Sequence, residues 1–219
     1  MMRHLWFAVI VFALLGSSGC GVVEVRDKSA LSYDEHMKLG AIYESKGEYE
    51  LALREFESAL AIDKKEPGAR FAMGNVRLKM KEYEKAEEEF LKSIEANPSS
   101  DAYNNLSWVY IEQGRTDEAR KFADKAVTAA QPEKGYIYLD TLGVALMNAG
   151  EYEEAEERFM KAADSVIGKN REAYLAIYGH LAELYRKEGN LEKASIVEEK
   201  LKLFEAAANG APGAPGAIK

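Results

Sequence analysis

The sequence predicts an all-α protein, a solenoid of about five stacked helix-turn-helix units. Similar segments recur at an interval near 34 residues. Small residues stand at matching places within each copy. Prolines fall between copies, and no long Val/Ile/Thr-rich alternation marks a β fold. Hydrophobic residues at 47% and charged residues at 30% suit a helix-rich protein. The formal charge of −8 argues against a nucleic-acid partner, whose phosphates attract a basic face.

Residues 1–19 read as a signal segment. Arg3 precedes an apolar run of eleven residues, Leu5 to Leu15. That run is shorter than the ~20 residues needed to cross a bilayer. Gly16, Ser17, Ser18 and Gly19 lead to Cys20, the only cysteine, so no internal disulfide forms. Ser18-Gly19-Cys20 resembles the bacterial lipoprotein cleavage site, with Ser17 where Leu is usual. The resemblance implies an acylated Cys20 as the first mature residue and a membrane held through that lipid. Several acyl chains anchor firmly where one does not. The alternatives are an uncleaved signal anchor, or ordinary cleavage leaving a free thiol. Gly21 in place of an Asp implies, by the same resemblance, the outer membrane facing the periplasm. Residues 20–31 form a tether, and its stretch from Gly21 to Leu31 reaches about 35–40 Å when extended.

Folded structure is expected from Ser32, which forms a capping box with Glu35. The copies then begin at Leu39, Met73, Leu106, Leu142 and Leu181. In the first helix of each, a small residue recurs as Gly40, Gly74, Ser107, Gly143 and Ala182. In the second helix it recurs as Ala52, Ala86, Ala119, Ala155 and Ala194. Paired helices approach closely only at such residues, and large side chains (Phe56, Phe90, Phe159) fill the remaining space. Ala123 and Glu198 depart from that aromatic column. Gly47, Gly114, Gly150 and Gly189 end the first helices in a left-handed cap, and Lys81 departs from them. Pro67, Pro98 and Pro132 stop helices between copies.

This pattern resembles the tetratricopeptide repeat family over residues 33–208. The resemblance implies a right-handed superhelix with repeats at 33–66, 67–99, 100–135, 136–170 and 171–208. Helix pairs are expected at 33–62, 68–95, 101–130, 136–167 and 171–208, within a domain spanning 32–208. The junction 163–172 is long, which suggests an extended helix or a shifted fifth pair. The last helix is expected to act as a solubilising cap. Residues 209–219 (NGAPGAPGAIK) cannot bury a core and are expected to be disordered.

No motif for chemistry emerges. His4, His36 and His180 stand alone, without HExxH or a cysteine partner, so no metal is expected. The stretch Ile167 to Asn170 lacks the leading Gly and the Ser/Thr of a phosphate loop. The acidic runs of the second helices read as solvated faces. No cofactor and no enzyme activity are expected.

The family resemblance implies that first helices line a concave face open to a protein or peptide. Counted from the small-residue column, that face carries Phe71, Asn75, Leu78, Asn104, Trp108, Ile111, Asp140, Val144 and Met147. Met37, Ala41, Glu44, Glu183 and Arg186 extend it towards the two ends. Asn75 and Asn105 match two amide positions of the family's carboxylate clamp; Met37, Asp101 and Ala72 do not supply its basic residues. Trp108 is the candidate anchor, since Trp is enriched at binding hot spots; packing between repeats is its alternative. The architecture resembles outer-membrane lipoproteins that help assemble type IV pili and secretins. Adaptors of peptidoglycan hydrolases are of similar build, and a self-assembling structural lipoprotein, one array packing on another, is a further alternative.

Overall fold

The computed structural model describes residues 31–208. The signal segment 1–19, Cys20, the rest of the tether to residue 30 and the tail 209–219 lie outside the described residues. Five helix pairs follow one another. They are α1 (Tyr33–Ser45) with α2 (Tyr49–Ile62), α3 (Pro67–Lys79) with α4 (Tyr83–Ala96), and α5 (Ser100–Glu112) with α6 (Thr116–Thr128). The series ends with α7 (Gly135–Ala149) and α8 (Tyr152–Val166), then α9 (Arg171–Glu188) and α10 (Leu191–Ala208). A single 3-10 turn, Pro132–Lys134, precedes α7.

Local chemistry sets these boundaries. Ser32 and Glu35 make the reciprocal capping box, with Ser32 N donating to Glu35 Oε2 at 2.8 Å. Ser99 and Asn170 cap α5 and α9 by accepting from Ala102 N and Ala173 N. Pro67 opens α3, where its missing N–H is not needed. The turns inside the pairs share one left-handed residue: Gly47, Gly114, Gly150 and Gly189 have φ of 71–85°. Lys81 adopts the same turn at φ 60°, although it carries a side chain. The pattern of turn bonds, not glycine alone, therefore dictates the conformation: Glu82 N bonds Arg77 O at 2.9 Å, as Arg115 N bonds Tyr110 O.

Inside each pair the close approach is literal. A Cβ built on Gly40, Gly74 or Gly143 falls 2.4–2.7 Å from the ring of Phe56, Phe90 or Phe159. In the third pair Ser107 faces a different partner set. Ala123 stands where the ring would be, and Ser107 Oγ uses the space to donate to Ala119 O at 2.7 Å.

Each helix packs on its chain neighbours, and consecutive first helices also touch: α1 with α3, α3 with α5, α5 with α7, α7 with α9. Second helices stand further apart and meet through long side chains, as where Lys193 of α10 reaches Glu156 of α8 at 3.2 Å. The stack therefore curves with its first helices inward, a right-handed superhelical solenoid.

The long junction resolves into a longer helix. Gly168 turns the chain at φ 70°, and α9 then runs for 18 residues where α5 has 13. The expected solubilising cap is corrected in part. Ser195 and Lys202 of α10 are exposed and polar, but Leu191, Ile196 and Leu203 are exposed as well.

Candidate inner-face binding site

The inner face is a chain of side chains that tie one first helix to the next. Lys79 Nζ on α3 donates to Glu44 Oε1 on α1 at 2.7 Å. Asn105 Nδ2 on α5 donates to Asn75 Oδ1 on α3 at 2.7 Å, and Asn104 Nδ2 donates to Asn105 Oδ1 at 3.2 Å. Trp108 Nε1 on α5 donates to Thr141 Oγ1 on α7 at 3.1 Å. Asp140 on α7 meets His180 Nδ1 on α9 at 2.8 Å. That bond, more than its partial burial, holds the imidazole above its ordinary pKa.

Among these links lies one shallow groove of about 230 Å³, lined by Leu78, Lys79, Lys81, Tyr83, Trp108 and Glu112. Helix α3 supplies one wall and α5 the other, with the strained turn at Lys81 on the rim. Trp108 is half-buried: its edge reaches Thr141 while the ring borders Leu78 in the groove. Tyr83 Oη donates to Glu112 Oε2 at 3.0 Å across the groove, and this bond holds the phenol above its usual pKa. Lys81 is exposed. Two roomier concavities, about 480 and 540 Å³, are walled mainly by charged side chains. The smaller groove has the more predominantly apolar lining, with Leu78 and Trp108 in its walls, so it is the better binding candidate.

The expected site residues divide accordingly. Leu78 and Trp108 share the groove. Phe71 and Ile111 are half-buried against the core, Phe71 with its ring 5.9 Å from that of Phe90. Asn75 and Asn105 are half-buried and bonded to each other rather than free. Asp140 is engaged by His180. Asn104, Val144 and Met147 are buried, which corrects their expected place on the open face. For Val144 and Met147 the reason is α7, which α5 flanks on one side and the long α9 on the other. Asn104 Oδ1 remains buried without a hydrogen-bond partner among the described residues. Lys79, Lys81, Tyr83 and Glu112 went unread as site residues. The departure of Lys81 from the turn glycines was their one visible signal.

Cys20 lies outside the described residues. Among the described residues no helix is long and apolar enough to cross a membrane, and no group of three His, Cys, Asp or Glu is arranged to hold a metal.

Comparison with known proteins agrees with this architecture. Tetratricopeptide repeat models match residues 36–70, 71–134 and 136–201. Among curated proteins, the small glutamine-rich tetratricopeptide repeat-containing protein 2 of Mycosarcoma maydis is 35% identical over 94 residues, which are 42% of this chain. The CTR9 homolog of Arabidopsis thaliana is 24% identical over 172 residues, 72% of this chain. The matches span only 26% and 16% of those two relatives. Among solved structures, PilW, described as a widely conserved type IV pilus biogenesis factor, aligns with a TM-score of 0.69 at 22% identity. The alignment covers 83% of this chain and 88% of PilW. MamA from Desulfovibrio magneticus RS-1 gives 0.68 at 19%, covering 80% and 96%. YrrB, described as having an unusual peptide-binding site, gives 0.59 at 22%, covering 78% and 84%. Repeated helix pairs, close glycine–phenylalanine crossings and these matches together place the chain in the tetratricopeptide repeat family.

Proposed function

We propose that this protein is an adaptor of the bacterial cell envelope, tethered through a lipid on Cys20 and holding a protein partner against its inner face. The single observation that carries the reading is the groove between α3 and α5, where Trp108 and Leu78 are the apolar walls. A tryptophan whose edge is fixed by Thr141 presents its ring at little entropic cost, as a binding anchor requires. The peptide-binding site described for YrrB supports an extended or helical segment as the ligand. Of the titratable groups in its lining, Tyr83 is engaged by Glu112 and Lys79 by Glu44, which supports holding rather than reaction. The similarity to PilW over most of both chains supports type IV pilus or secretin assembly as the process served.

Affinity capture from crosslinked envelopes, read by mass spectrometry, tests this. Trp108→Ala and Leu78→Ala should lose the partner while keeping the helical circular-dichroism spectrum of the wild type. Retention of every captured protein by both variants contradicts the groove reading. Cys20→Ala should move the protein from the membrane to the soluble fraction, and unchanged fractionation contradicts the lipid anchor.

A further inference from the structure

Helix α1 opens the described stack, and among the described residues its outer face has no counterpart of the second helix that precedes every later first helix. In α3, α5, α7 and α9 that face is sealed by the second helix of the preceding repeat. Two residues after the small-residue column, Val76, Val109, Ala145 and Leu184 are each 0% exposed. Ile42 holds the same place in α1 and is 49% exposed. Leu51 is 38% exposed at the place from which Lys193, in the last repeat, reaches back to Glu156 Oε2 at 3.2 Å.

A second column specifies what is missing. Three residues after the small residue stand Tyr43, Arg77, Tyr110, Leu146 and Tyr185. Tyr110 Oη donates to Glu87 Oε1 of the preceding α4 at 2.9 Å, and Tyr185 Oη donates to Glu156 Oε1 of the preceding α8 at 2.6 Å. Where the residue is Arg77 or Leu146, the place of that glutamate is taken by Leu53 or Arg120. Tyrosine and glutamate thus occur together across the internal junctions. Tyr43 carries the tyrosine, and no helix precedes it among the described residues. Both glutamates belong to one pattern, Ala-Glu-x-x-Phe, at Ala86 to Phe90 and at Ala155 to Phe159; the 219 residues hold no third copy.

We propose that the outer face of the first helix pair, built from Ile42 and Tyr43 of α1 and Leu51 of α2, docks an amphipathic helix of a partner protein carrying Ala-Glu-x-x-Phe. That helix takes the place against α1 that α4 takes against α5. Its glutamate accepts from Tyr43 Oη, and its apolar stripe covers Ile42. A second copy of the chain does not supply it. Its α4 and α8 are engaged on α5 and α9, and α10 has Ser195 and Glu198 where the pattern needs Glu and Phe. This surface is separate from the groove, and its failure leaves the inner-face reading standing.

The probe is a fluorescein-labelled synthetic peptide of residues 82–97, stapled through the exposed positions 84 and 88 so that helix nucleation is already met. Full-length protein with labelled isoleucine methyls is titrated with it. The Ile42 methyl should shift and saturate while Ile111 on the inner face stays still. By fluorescence anisotropy, Ile42→Asp and Tyr43→Phe should each bind about tenfold more weakly. Leu78→Ala should bind as the wild type does. Tyr43→Phe keeps the fold, so a loss there is not one of stability. Absence of saturable binding, a shift at Ile111 instead, or wild-type affinity in Ile42→Asp overturns the proposal. A dimer in sedimentation that Ile42→Asp dissociates overturns it too, since a second copy then covers the face.

Discussion

Gly74 and Phe90 show how one side chain dictates another. The ring lies where a Cβ on Gly74 would sit, 2.7 Å from the nearest carbon, so Gly74→Ala must displace a fully buried phenylalanine. We expect a loss of about 1–3 kcal/mol in denaturant unfolding. Ser107→Ala, which faces Ala123 rather than a ring, should lose only the buried hydroxyl bond, about 1 kcal/mol. The same recurring columns made both the repeats and their exceptions legible in the sequence. Lys81 was visible there as an exception but not as a strained one. A non-glycine residue in the left-handed region costs about 1–2 kcal/mol. Lys81→Gly should therefore raise stability by about 1 kcal/mol, offset in part by the glycine's greater unfolded entropy. A melting temperature at or below the wild-type value contradicts that.

Between elements, the inner-face bonds act as rungs joining consecutive first helices. The rung from Asp140 on α7 to His180 on α9 is the one that holds a histidine. Phe159 lies 5.8 Å from the imidazole and Glu183 adds a weaker raising charge on the same helix. The Asp140 bond holds the proton more tightly in the folded chain than in the unfolded one. Its contribution is therefore complete below the unfolded imidazole pKa of about 6.5 and is lost as pH rises from there through the raised folded value. Urea unfolding across that range should show wild-type stability falling, and Asp140→Asn should flatten the slope. An unchanged slope contradicts the rung. Sequence order told which helices are neighbours, but not which of their side chains meet. Val144 and Met147 illustrate the gap. Their place in the repeat pointed to the open face, yet the 18-residue α9 lies against α7 and leaves them buried.

At the scale of the molecule, curvature follows from first helices packing closely on one another while second helices meet through long side chains such as Lys193 on Glu156. One surface is thereby gathered from residues far apart in sequence: Leu78 and Trp108 are 30 positions apart and share one groove. The repeat pattern made the hollow legible. Its depth at this one place was not, because it depends on a tryptophan pinned to Thr141 and a lysine held in a glycine's turn. The central claim is that a partner enters here. Site-specific photocrosslinking in intact cells tests it most directly, with benzoylphenylalanine in place of Leu78 or, as a control, of Leu91, exposed on the outward helix α4. The account predicts a discrete protein adduct from position 78 and none from position 91. Adducts of the same protein from both positions, or from 91 alone, would contradict it.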